Sequence, residues 1–302
     1  MELWIFIAIS AAFMQNLRFM LQKHLKATRL STAGATFSRF IFAAPLAALL
    51  VWALLIYGDR SLPTVPPRFF AFAMVGGTAQ IVATLFVVAL FAERNFAVGI
   101  TFKKTETVQT AVLSLLVLGG SISIYGLMAI LIGFIGVIVL ADPPKTGVKL
   151  GWTARVFNRA SGYGLASGAF FGVSAVGYRG ASLSLEGGDF LIRAAVTLAF
   201  VTLFQTVVMA AYLRLREGGQ IMTVLRSWRV SGLVGITGML GSFGWFTAFT
   251  LQNAAYVKAV GQVELVFTFL ASYFIFKERS SARELVGIAL VIASILVLIL
   301  AL

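Results

Sequence analysis

Glu106-Thr107-Val108-Gln109-Thr110-Ala111-Val112-Leu113-Ser114 and Glu264-Leu265-Val266-Phe267-Thr268-Phe269-Leu270-Ala271-Ser272 are the two stretches whose reading decides the fold of this chain. Both lie inside long apolar runs, 158 residues apart, and both carry one polar stripe: Glu, then Thr at i+4, then Ser at i+8. At 3.6 residues per turn that spacing sets each trio on one helical face. An ionised carboxylate near the middle of a bilayer costs about 3 kcal/mol on insertion scales, so a carboxylate there is read first as functional. Two of them at matched positions point to a pathway at the interface of two repeats.

The rest of the chain fits a bilayer. Of 302 residues 60% are hydrophobic and 12% charged, with 27 Phe, which is more apolar surface than a soluble domain of this size can bury. The chain is therefore an all-α integral membrane protein. Its first span begins almost at Met1 without the basic segment and small-residue cleavage site of a secretory signal, and is expected to be retained. Cysteine is absent and the one histidine, His24, sits between Lys23 and Lys26, so no metal site and no cofactor are expected. The net charge of +13 resides largely in short loops, where topology and anionic lipid headgroups account for it better than nucleic acid does.

Runs long enough to cross a bilayer, about 20 residues each, fall at 2–23, 31–57, 69–92, 95–118, 121–140, 161–183, 189–212, 230–251, 254–276 and 285–302. The longest break contains Asp142-Pro143-Pro144, a strong helix stop. It divides the chain into a five-helix repeat at 1–142, a cytoplasmic linker at 143–160 and a second five-helix repeat at 161–302. At the constant offset of 158, Gly77 meets Gly235, Phe91 meets Phe249, Asn95 meets Asn253 and Arg68 meets Arg226. Because five is odd, the second copy enters the membrane from the opposite side, which makes these inverted repeats. Fifteen Lys and Arg fall in the odd-numbered loops and only Arg60 and Arg68 in the even ones. The positive-inside rule then puts both termini outside, in a multi-pass protein expected in the cytoplasmic (inner) membrane of a bacterium.

Ten spans in two halves, each half closing on a Gly-punctuated helix such as Gly126-Leu-Met-Ala-Ile-Leu-Ile-Gly133-Phe-Ile-Gly136 or Gly287-Ile-Ala-Leu-Val-Ile-Ala-Ser294, resemble the EamA-type branch of the drug/metabolite transporter superfamily over nearly the whole chain. Phe276-Lys277-Glu278 followed by Gly287 is similar to that family's terminal motif, while Gly119-Gly120-Ser121 in the first half lacks the Glu. The family tends to place a Pro in the fourth and ninth spans. Here Glu106 is followed by Thr107 and Glu264 by Leu265, so less kinked helices are expected.

Seven basic residues lie inside spans: Arg18, Arg39, Lys103, Lys104, Arg179, Arg193 and Lys258. Against them stand the carboxylates of Glu106 and Glu264, a surplus that favours an anionic ligand. Arg18, Arg179, Arg193 and Lys258 are near enough to span ends to snorkel to the headgroups. Arg39 and Arg193 resemble an Arg that family members often keep near the start of these spans, and binding headgroups or fixing topology is the role expected of them. Lys103 shares the face of Glu106 three residues on, the spacing of a structural pair. Lys104 has no carboxylate three or four residues away and is expected to be the unpaired binding cation. With Lys258 and Gln262 at the equivalent face of the ninth span, Lys104 is expected to form one cavity, and Glu106 and Glu264 with Thr110 and Thr268 to lie on another face. The Lys-x-x-Glu of the fourth span with a Lys in the ninth is also similar to the phosphate-translocating branch of the superfamily, where such lysines hold the phosphate of sugar phosphates. Gln15, Asn16 and Gln80 are expected to bond between helices, and Trp245 and Tyr256 to belong to an interfacial belt.

A secondary transporter moving a small polar, anionic metabolite by alternating access, with protons as a possible coupling partner, accounts for these features best. The alternative is a proton-coupled exporter of amino acids or cationic drugs, in which the glutamates bind the amine or the proton. An enzyme acting on lipid-linked substrates would need an acid/base or metal constellation that the chain lacks. A passive channel or scramblase would show flux without saturation.

Overall fold

The computed structural model describes residues 2–58, 60–93, 103–119, 122–140, 159–274 and 282–300. These residues are helical almost throughout, because in lipid the backbone must satisfy its own hydrogen bonds. In chain order the helices are α1 (Leu3–Thr28), α2 (Thr32–Ile56), α3 (Pro67–Glu93), α4 (Glu106–Leu118), α5 (Ile124–Leu140), α6 (Arg159–Ser184), α7 (Phe190–Arg216), α8 (Gln220–Arg226), α9 (Trp228–Leu251), α10 (Ala254–Val260), α11 (Glu264–Phe274) and α12 (Ala282–Leu300). Five of them, α1, α2, α3, α7 and α9, are long and apolar enough to cross a membrane, and α4, α5 and α12 hold shorter apolar stretches. Large apolar side chains such as Leu116, Leu215 and Phe274 stand exposed on the outside, the surface expected of a body whose solvent is hydrocarbon.

Local chemistry sets the ends. Ser31 caps α2 by accepting from the Gly34 N–H, Asp189 caps α7 by accepting from Ile192, and Asn253 caps α10 by accepting from Ala255. Pro67 opens α3, where its missing N–H costs nothing. Gly119 follows α4 with φ of 63°, a left-handed conformation that glycine adopts without strain. At one end of the bundle, Thr64 and Glu186 form an isolated antiparallel bridge and Arg60 pairs with Asp189 at 2.7 Å, so the connections after α2 and α6 lie side by side. Elsewhere, Ser31 meets Gln220 and Glu217, which joins the connection after α1 to the one after α7.

The straighter fourth and ninth spans expected from their lack of proline are not what is found. The ninth is interrupted: α10 runs into a 3-10 turn at Gly261–Val263 before α11 begins at Glu264. In the fourth, Lys104 and Thr105 form a turn before α4 begins at Glu106. Glycine and charge take the place of proline here. A Cβ on Gly261 would stand 2.6 Å from the Trp245 ring, so only glycine fits, and Lys104 donates to the Gly261 carbonyl at 2.9 Å. Each Glu thus opens a helix, where the dipole favours negative charge.

Helix pairs pack closely where side chains are absent. The most extensive packings are α3 on α6, α5 on α12, α1 on α9 and α2 on α7. Gly177 of α6 faces Gly76 of α3, Gly136 of α5 faces the Gly287 carbonyl of α12, and Gly241 and Gly244 of α9 lie against the Ala11 region of α1. On α6, Gly168 and Gly172 admit the start of α4, with Glu106 N and Thr110 the atoms they meet.

Candidate functional site

The two interrupted regions meet in the interior and bring their charges together. Lys103 Nζ donates to Glu264 Oε2 at 3.1 Å, and Lys104 Nζ lies 2.5 Å from the same oxygen. Gln15 of α1 adds a third donor to it at 3.0 Å. Glu106 Oε1 is reached by Lys258 at 3.6 Å and by Lys103 at 3.9 Å. All five charged side chains are buried, so each ion pair offsets a desolvation cost of several kcal/mol per ion rather than adding a surplus. One oxygen of each carboxylate, Glu106 Oε2 and Glu264 Oε1, makes no hydrogen bond with any described residue.

Several expectations are corrected by this arrangement. Lys104 is not the unpaired cation: its partner is Glu264, which lies 160 residues away in sequence and so escapes any search at helical spacing. Lys103 does approach Glu106, yet its shorter bond is to Glu264. Lys104, Lys258 and Gln262 do not share one face apart from the glutamates. The turns at 104–105 and 261–263 break the helical registry that placed them there. Gln262 is buried against Gly133 of α5 instead.

The remaining stripe residues pack between helices. Thr268 accepts a hydrogen bond from Asn16 at 2.5 Å and donates to the Glu264 carbonyl, while Thr110 is buried beside Gly172. Ser114 donates to Asn253 at 3.1 Å. The side chain of Ser272 lies outside the described residues, as do Asn95 and the Phe276-Lys277-Glu278 motif.

Beside the charge cluster is a narrow cavity lined by Gln15, Gln80, Phe171, Ser174, Ala175, Tyr178, Ser242, Trp245, Phe246, Phe249 and Lys258. Its free volume of about 10 Å³ is room for one water at most, so it holds no space for a metabolite in this conformation. Lys258 is not drawn to the headgroups. Its ammonium stands 4.9 Å from the Trp245 ring centre, 5.6 Å from Phe249 and 5.8 Å from Phe171, an aromatic cage for a cation. Trp245 and Tyr256 are correspondingly buried rather than belted at an interface, and Tyr256 takes a bond from the Ser123 N–H at 2.9 Å.

Sequence reasoning also missed two arginines by assigning them to the membrane surface. Arg18 is 1% exposed and Arg39 4%. Arg39 donates to Ser242 at 2.8 Å and Arg18 to Gln22 at 3.0 Å. The available signal was the register of Arg18 with Gln15, three residues earlier on the buried polar face of α1. Arg179 and Arg193 do lie near helix ends, bonding the Phe249 and Gln252 carbonyls and the Gly187 carbonyl respectively.

An all-helical body with an apolar exterior and a charged interior defines a multi-pass membrane protein. Residues 160–300 match the model of the EamA-like transporter family. The second half accordingly resembles a domain of that family, whose members are membrane transporters of the drug/metabolite type. A solved crystal structure of a protein 15% identical to this chain superposes with a TM-score of 0.69 over 99% of this chain and 96% of its own. At that identity the likeness establishes the fold alone, and it does so across both halves. No curated protein matches the sequence.

Proposed function

We propose that the protein carries a small anionic metabolite, phosphorylated or carboxylated, across the membrane by alternating access between two inverted five-helix halves, 1–142 and 161–302, linked by 143–160. The observation that carries the reading is the interior charge. Among the described residues Arg18, Arg39, Lys103, Lys104 and Lys258 are buried against only Glu106 and Glu264. In a low-dielectric interior that surplus is costly and is relieved by an anion. Lys258, at the wall of the cavity, is the cation placed to meet it first, and Lys103, Lys104, Gln262, Thr110 and Thr268 form the shell behind.

Glu264 and Glu106 tie α4 of the first half to α10 and α11 of the second through these lysines. A substrate anion competes with the carboxylates for the same ammonium groups, so its arrival loosens the tie between halves and its departure restores it. The helix packing supports two equivalent halves. Exchanging the first five spans for the last five maps the α3–α6 contact onto α9–α1, and leaves α2–α7 and α5–α12 unchanged. Multi-pass insertion in a bacterial inner membrane with both termini outside is the orientation proposed from loop charge.

One observation favours the second reading, a proton-coupled exporter of amino acids or cationic drugs. The unbonded Glu106 Oε2 and Glu264 Oε1 could each hold a proton or an amine. Uptake into proteoliposomes separates the two. Saturable flux of phosphorylated or carboxylated metabolites supports the anionic reading, and flux of amines coupled to a proton gradient, with none of anions, overturns it.

A further inference from the structure

Arg18 of α1 and Arg39 of α2 converge on the bare backbone of Gly238 in α9. A Cβ there would stand 3.1 Å from Arg39 Cγ and 3.2 Å from Arg18 Cδ. Each guanidinium is more than nine-tenths buried, and each has one nitrogen, Arg18 Nη2 and Arg39 Nη1, that bonds to no described residue. The two cations are close enough to repel each other, and the carboxylate within electrostatic range of Arg18 is Glu264, already shared by two lysines and Gln15. Two like charges buried with donors unused are a net cost to the fold. Aromatic contacts, Arg18 over Phe19 at 4.2 Å and Arg39 over Phe40 at 5.3 Å, soften that cost without supplying an acceptor.

The pair adjoins the cavity. Ser242, one turn after Gly238 on α9, accepts from Arg39 and also forms part of the cavity wall with Gln15 and Lys258. We propose that Arg18 and Arg39 form an oxyanion subsite that holds the carboxylate or phosphoryl group of the transported molecule, with Ser242 at the junction to the Lys258 end of the cavity. A guanidinium offers planar paired donors that match either group, which an ammonium does not. The inference rests on the anionic-substrate reading and adds to it a place for the anion distinct from the lysine–glutamate cluster. It also gives Gly238 a purpose, since a larger residue there would push both arginine stems aside.

The test is thermal unfolding of the detergent-purified full-length protein, titrated with benzoate as the carboxylate probe and inorganic phosphate as the phosphoryl probe, because a bound ligand raises the unfolding temperature by mass action. At least one probe is expected to stabilise the unmodified protein, and which one identifies the group. Arg18→Gln and Arg39→Gln are each expected to weaken that stabilisation about tenfold or more in apparent affinity, while the ligand-free variants unfold at the same or a higher temperature. That combination separates a binding residue from a structural brace. Stabilisation that survives both substitutions overturns the arginine subsite and leaves the anionic transporter standing. Ligand-free variants that unfold at lower temperature also overturn it, since the arginines would then be braces. Stabilisation by amines and by neither anion removes the subsite together with the reading it rests on.

Discussion

Lys104 and Glu264 lie 2.5 Å apart across the junction of the two halves of the chain, both withdrawn from the surface. Lys104 also donates to the carbonyl of Gly261, so the same ammonium neutralises the carboxylate and completes the backbone where the ninth span breaks. Ion pair and helix interruption are one structure. Charge removed on either side therefore disturbs helix geometry as well as electrostatics.

Glu264→Gln strands Lys104 in the interior and leaves Lys103 with Glu106 alone at 3.9 Å, and is expected to cost about 3–5 kcal/mol, the range for breaking a buried pair. Lys104→Gln leaves Glu264 paired with Lys103 and is expected to cost clearly less. The double variant should show a coupling of about 1–3 kcal/mol in a thermodynamic cycle, as contacting residues do. Equal losses in the two single variants, measured by unfolding in detergent, would contradict the arrangement.

Lys258→Met removes the cation at the cavity wall and leaves Glu106 with Lys103 alone at 3.9 Å. Anion uptake in proteoliposomes is expected to fall at least about tenfold, the loss of one charge-assisted contact. Trp245→Leu, which takes away the nearest face of the aromatic cage, is expected to weaken uptake by a comparable amount, about the 0.5–2 kcal/mol of a cation–π contact. Unchanged uptake in Lys258→Met would remove this residue from the substrate path.

Gly177→Ala would set a Cβ 2.9 Å from the Gly76 Cα and 3.0 Å from the Phe72 carbonyl, backbone atoms that cannot swing aside. A loss of about 1–3 kcal/mol is expected, as for overpacking generally. Gly232→Ala, inside α9, meets nothing within 4 Å and is expected to hold or raise stability, by up to about 1 kcal/mol. The pair tests whether the α3–α6 contact is as close as described.

At the rim, burial tends to raise the Asp189 carboxyl, but the N–H of Ile192 and the Arg60 guanidinium outweigh it and hold the group below its ordinary value of 3.8. A depressed carboxyl stabilises the fold above its ordinary pKa and loses that contribution as pH falls through the folded value. Asp189→Asn keeps the helix cap and should abolish this acid dependence while losing, near neutral pH, the same contribution the wild-type chain loses in acid, whereas Asp189→Ala also loses the cap, worth about 1 kcal/mol. Unfolding temperature against pH for the three proteins reads the difference.

The class of the protein was legible in its residues because lipid imposes simple demands. Apolar length and the Gly and polar punctuation between runs anticipate α1, α2, α3, α7 and α9, and the stripe from Glu106 and Glu264 correctly marks the regions where charge is buried. The roles within that cluster were not legible. Arg18 and Lys258 can in principle snorkel, and nothing in the linear spacing shows that neighbouring helices bury them. Proline was the expected source of a kink, yet the ninth span passes into a 3-10 turn at Gly261, where the Trp245 ring from α9 occupies the space a side chain would need.

By itself, then, the sequence determined a membrane body, the positions of its buried carboxylates and the excess of basic groups, since each follows from composition and helical period along one chain. Only the tertiary structure decided that Lys104 answers Glu264, that Arg18 and Arg39 meet over Gly238, and that Lys258 faces an aromatic cage. Those contacts join helices far apart in sequence, and which side chains meet is fixed by how closely glycine lets the helices approach.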